Sequence, residues 1–233
     1  MKTVRQQARI AGLWYLAMAF IAPIGLMIVP NKLFVFGDAA ATAERLRASA
    51  GLLRLAMASD LVHQAMEVWL VLALYQLFKG VDRHQARLLA VFGLLPIPIV
   101  FLNTLNHVAA LQLAQGADFL ASFTRPQLDS LAYLFVRLHG RGVSIASVYW
   151  GLWLLPLAAL VLRSGFIPKV FGWLLVAGGL GYLIASAHSL VFPQWPEWTD
   201  TLQTLLQMGE VPIIFWLAIM GANGPKANEP LEA

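Results

Sequence analysis

The chain has no cysteine among its 233 residues, which removes disulfides, thiolate metal sites and a cysteine nucleophile. Charge is scarce as well: Asp, Glu, Lys and Arg together make up 12% of the residues, about half the share of a soluble domain. There is no Lys/Arg block with interleaved aromatics, so the sequence offers no nucleic-acid surface and no such partner is expected. Hydrophobic residues reach 59% and fall in runs of about 20 residues or more, long enough to cross a bilayer as helices and leaving no room for a separate soluble domain. These absences exclude the soluble classes.

What is present reads as an all-α polytopic bundle. Apolar runs at about 10–30, 51–79, 88–113, 141–163, 168–192 and 199–221 give six transmembrane helices in one domain over 1–222. The polar tail, 223–233, is expected to be a disordered cytoplasmic segment. The first run follows a basic start but is too long for a signal peptide, so it reads as a retained span. Two long loops each suggest an amphipathic surface helix. One is capped by Asp38, and the other starts at Arg125-Pro126 and ends near His139. Pro96 and Pro98 should kink the third span.

Costly residues interrupt these runs. In the second span Asp60, His63 and Glu67 fall within about 60° of one another on a helix and climb roughly 10 Å, forming one polar stripe. In the third, Asn103, Asn106 and His107 form a second. Tyr149 lies in the fourth, and Gln207 and Glu210 in the sixth, where Pro212 follows. Such groups are expensive in lipid, so they must face other helices or a wet cavity.

Six spans put both termini on one side. That side carries nine Lys and Arg beside short segments, and the other carries seven over two long loops, which favours cytoplasmic termini. On that topology Asp60, Asn103, Asn106, His107, Tyr149, Gln207 and Glu210 all lie about 8 to 18 Å from the outer face. Their alignment predicts a polar cavity open to the outside and closed toward the cytoplasm.

The segments GDAAATAERLRASAGLLRLAMASD and VYWGLWLLPLAALVLRSGFIPKVFGWLLVAGGLGYL, with the glutamate-bearing last span, closely resemble the DUF4386 family of bacterial six-span membrane proteins. Asp60, Asn103, Trp153, Pro156, Pro168, Gly172 and Glu210 match its pattern, while His63, Glu67, His107 and His188 fall outside it. The resemblance implies a fold and no activity.

Asp60 and Glu210, with His63 and Glu67 beside them, are the candidate catalytic groups for acid/base chemistry on a lipid. Such chemistry needs a carboxyl placed against a second carboxylate or an imidazole, and Asp60 and Glu210 are expected to approach each other. Asn103, Asn106, His107, Tyr149 and Gln207 are the candidate ligand-binding residues. A metal reading would use His63, Glu67, His107 and His188. No HExxH-type signature supports it, so no metal ligand is assigned and no cofactor is named. The same carboxyls suit proton-coupled transport as the alternative, and interhelical hydrogen bonding as the plain structural role. A membrane lipid and a small or lipidic ligand are the expected partners, with a homo-oligomer left open.

Overall fold

The computed structural model describes residues 3–196 and 198–229; of the tail, 230–233 lie outside the described residues. Among the described residues, ten α-helices run in the order α1 (Val4–Pro23), α2 (Val29–Leu33), α3 (Ala39–Ala48), α4 (Ala50–Phe78), α5 (Arg83–Leu94), α6 (Pro96–Gln115), α7 (Arg125–Ser164), α8 (Lys169–Leu190), α9 (Trp198–Gln207) and α10 (Val211–Ile219). They make up a helical bundle with six helical stretches long and apolar enough to cross a membrane: Val4–Leu33, Ala50–Phe78, Arg83–Gln115, Arg125–Ser164, Lys169–Leu190 and Trp198–Ile219. Their outward faces carry bare apolar side chains, such as Phe20 (68% exposed), Leu102 (69%) and Trp173 (66%). A water-soluble surface would not present such a coat, and lipid would cover it at no cost.

Three of the spans are interrupted, each for a local reason. In the first, a π turn over Ile24–Ile28 joins α1 to α2, the N–H of Val29 reaching back to the Ile24 carbonyl. In the third, α5 and α6 meet at Leu95 because Pro96 has no N–H to continue the ladder, where the sequence called for a kink. In the sixth, Met208–Glu210 wind as a 3-10 turn between α9 and α10.

One expected boundary is wrong. The helix that starts at Arg125 does not end near His139 but continues through Gly140 and Gly142 to Ser164 as one helix of 40 residues. The two glycines read as a stop, yet Gly142 serves packing: a Cβ there would lie 2.0 Å from the Asn103 Oδ1. The loop helix after Asp38 does form as α3, with the Asp38 carboxylate accepting from the Ala41 N–H at 2.9 Å.

Two compact units make up the chain. The first comprises Met1–Met18, Ala65–Ile97 and Ser144–Ala233, and the second Ala19–Gln64 and Pro98–Val143. The core of the first includes Tyr15, Leu74, Phe78, Trp153, Leu157 and Ile213. In the second, Leu46 and Leu53 pack with Ala110, Ala114, Leu128 and Val136. There Asp129 of α7 accepts from Arg47 of α3 at 2.7 Å, and Arg125 donates to the Ala114 carbonyl at 2.7 Å. The last turn of α6 thereby receives positive charge at its carbonyl end, the arrangement a helix dipole favours.

Candidate metal centre

Within the second unit, α4 supplies Asp60, α6 supplies His107 and α7 supplies His139. All three are buried, at 1%, 0% and 5% exposure. One ligand atom from each lies within 4.8 Å of the other two. His139 Nε2 stands 3.6 Å from Asp60 Oδ2, and the two imidazoles stack with ring centroids 3.4 Å apart. That is closer than aromatic rings settle on their own, so the helices hold them there.

Hydrogen bonding is where the cluster departs from ordinary buried polar groups. Asp60 Oδ1 and Oδ2, His107 Nδ1 and Nε2, and His139 Nε2 are all buried with no hydrogen-bond partner among the described residues. Each such group costs about 1 to 3 kcal/mol when left unmet, and native interiors meet nearly all of theirs. Two imidazoles and a carboxylate are a donor set suited to zinc or iron(II). Ligand atoms about 2 Å from a common ion lie at most about 4 Å apart, so small side-chain rotations would close this set on one.

The surroundings hold these three side chains in place. The π turn brings the backbone of Gly25 against Asp60, where a Cβ would fall 2.2 Å from Oδ1. Ser59, the neighbour of Asp60, accepts from the Gly25 N–H at 3.3 Å and donates to the Ile21 carbonyl at 2.7 Å, tying the first span to α4. Asn103, one turn before His107, donates to the His139 carbonyl at 2.9 Å and accepts from Asn106 at 2.9 Å. That pair fixes the register between α6 and α7 at the level of both imidazoles.

His63 is not a free ligand, although the metal reading of the sequence included it. Its Nδ1 lies 3.0 Å from the Ser59 carbonyl and so carries the proton, which leaves Nε2 to accept from Gln64 at 2.9 Å. His188 lies in the first unit, 3.0 Å from Asp200. Glu67 is buried in the first unit too, and Tyr149 is half-buried there. Gln207 reaches the Gly181 carbonyl at 3.5 Å. Glu210 accepts from the hydroxyl of Tyr15, and Tyr182 stands close by. Asp60 and Glu210 thus belong to different units, each with its polar neighbours in its own. His139, Tyr15 and Tyr182 are the participants that the sequence reading did not single out.

The six helical stretches long and apolar enough to cross a membrane define a multi-pass helical membrane protein. The chain belongs to the family described as a domain of unknown function, DUF4386, whose model matches residues 10–221, nearly the whole length. No curated protein matches the chain. No solved structure matches it either.

Proposed function

We propose that this protein is a membrane-embedded, metal-dependent enzyme in which Asp60, His107 and His139 hold one divalent ion that activates a water against a lipidic substrate. The observation that carries the reading is the group of five buried nitrogen and oxygen atoms on these residues that have no hydrogen-bond partner among the described residues. Three protein ligands leave a position for water, as catalytic zinc sites do. Hydrolysis of an ester or amide needs no co-reactant but that water. A metal held by Asp60, His107 and His139 would supply such a water, whose oxygen would bond to the carbonyl carbon as the bond to the leaving oxygen or nitrogen broke and the water's proton passed to the leaving group.

The remaining parts of the reading rest on the sequence. Counted along its helix, Asp60 is roughly 27 Å from Phe78 and His139 roughly 37 Å from Ser164, close to the full thickness of the hydrocarbon layer. With cytoplasmic termini in a bacterial inner membrane, this count sets the centre near the outer face, where a lipid head meets water. One membrane domain over 1–222 carries the site. Asn103 and Asn106 position it.

Protein purified without a histidine tag is expected to carry one equivalent of zinc or another divalent transition metal. Asp60→Asn, His107→Ala and His139→Ala should each lose it. Less than stoichiometric metal, with none restored on soaking, removes the proposal. An enzyme should also alter a lipid in detergent with no gradient present, whereas a transporter needs a sealed vesicle.

A further inference from the structure

Span six holds a second polar arrangement that the metal centre does not use. Glu210 lies near the middle of Trp198–Ile219, where an ionisable side chain is costly and commonly functional. Pro212 sets its place. Having no N–H, it leaves the Met208 carbonyl without its α-helical donor. The N–H of Val211 takes that carbonyl instead and winds Met208–Glu210 into the 3-10 turn. The fifth span admits the turn closely. A Cβ on Gly209 would lie 2.3 Å from the Leu174 carbonyl oxygen, and one on Gly181 2.8 Å from the Gln207 nitrogen.

Two phenols converge on the carboxylate held there. Tyr15 of the first span donates to Glu210 Oε1, and Tyr182 of the fifth stands close enough to act on the same carboxylate. The second span contributes Glu67, close enough to act on both tyrosines. The fourth contributes Trp153 against Tyr15 and Trp150 edge-on to Tyr182. Several cations of this unit are engaged elsewhere: Arg5 with the Ala222 carbonyl, Arg9 with that of Ile219, and Arg163 with Asp82. Among the described residues, no Lys, Arg or His forms an ion pair with Glu210. A carboxylate in a membrane span that a phenol orients and no cation pairs with has room in its electrostatics for one added positive charge.

We infer that Glu210 is a binding site for a single monovalent cation, a proton or a sodium ion, with the Tyr15 and Tyr182 hydroxyls completing its surroundings. The broken helix is what makes such a site in the middle of a span, since it turns the carboxyl and the flanking backbone away from the regular ladder. This site is separate from the metal centre and stands or falls without it.

The test uses the full-length protein in detergent, with tryptophan emission as the reading because Trp150 and Trp153 touch the two tyrosines. Sodium is titrated at fixed pH against choline as the ionic-strength control, and pH is titrated in choline alone. A saturable change with one of the two cations is expected, absent in Glu210→Gln. Its midpoint should shift about tenfold in Tyr15→Phe, the weight of one hydrogen bond to a charged group. A protonated-carboxyl band in infrared difference spectra, lost in Glu210→Gln, identifies the proton. A sodium response without that band identifies sodium. Circular dichroism and gel filtration establish that the variants fold. If folded wild type answers neither cation, or folded Glu210→Gln answers as wild type does, the inference is overturned.

Discussion

Gly25 lies so close to Asp60 that a methyl group on it would sit 2.2 Å from the carboxylate oxygen. The clash is with the end of a short, buried side chain whose helix is fixed by Ser59, so the carboxylate must rotate away. Gly25→Ala should therefore weaken zinc binding by about 10- to 100-fold, the usual size of an indirect effect on a metal ligand. Competition with a chelating dye reads this directly. Unchanged affinity would separate Asp60 from the ion.

Asn103→Ala leaves the His139 carbonyl and the Asn106 amide without their partner. Metal affinity should fall by about one to two orders of magnitude, and thermal stability in detergent by about 1 kcal/mol, as for one interhelical hydrogen bond. Gly142→Ala, which drives a methyl into the same amide, should reproduce both effects. A stability loss with the metal affinity intact would make Asn103 structural only.

Asp82, outside the spans, caps α5. Its Oδ1 accepts from the N–H groups of Gln85 at 3.1 Å and His84 at 3.0 Å, and its other oxygen meets Arg163. The Gln85 N–H foremost, then the Arg163 charge, holds the carboxyl below its ordinary value of 3.8. Because the folded value is depressed, the contribution is complete above the unfolded value and is lost as pH falls through the folded one. Melting temperature measured down through pH 4 should fall less steeply in Asp82→Asn than in wild type. Parallel curves would mean that the cap does not titrate.

Glycine substitutions should divide sharply. Gly12→Ala places a Cβ 2.2 Å from the Ala218 nitrogen and Gly209→Ala places one 2.3 Å from the Leu174 oxygen, both fixed backbone. Either should reduce the yield of folded protein or lower the melting temperature by several degrees. Gly51→Ala meets nothing within 4 Å and should behave as wild type. Gel filtration and thermal melts in detergent distinguish them.

Topology has its own check. Reporter fusions at Gly116 and at the C-terminus should be active on opposite sides of the membrane. A fusion at Gly116 active only in the cytoplasm reverses the orientation and, with it, the placement of the metal centre near the outer face.

Hydropathy revealed the six spans because the apolar runs match bilayer thickness, and helical spacing revealed the polar stripes that contain Asp60, Asn103 and His107. It missed His139 because HGRG looks like the end of a helix. Only a neighbour distant in sequence, Asn103, explains why glycine is needed at position 142 within a continuous one. The partners of Glu210 were hidden for a related reason. A single tyrosine in an apolar run has the signature of packing, and nothing local shows that Tyr15 and Tyr182 reach the same carboxylate from different spans. His63 misled in the opposite sense, since its ring is taken up by bonds to its own helix, at Ser59 and Gln64.

The length of α7 bears on how the protein is assembled. Forty residues of helix measure about 60 Å, twice the hydrocarbon thickness. Only its second half is apolar enough to be recognised as a span during synthesis. The first half, with Arg125, Asp129, Arg137 and His139, must remain at the water boundary until Leu128, Ala132 and Val136 find the core that α3 and α6 provide. In the proposed metal centre His139 would therefore reach its place by lateral docking rather than by insertion. A chain stalled before that step would hold Asp60 and His107 without His139, fully inserted and unable to complete the site.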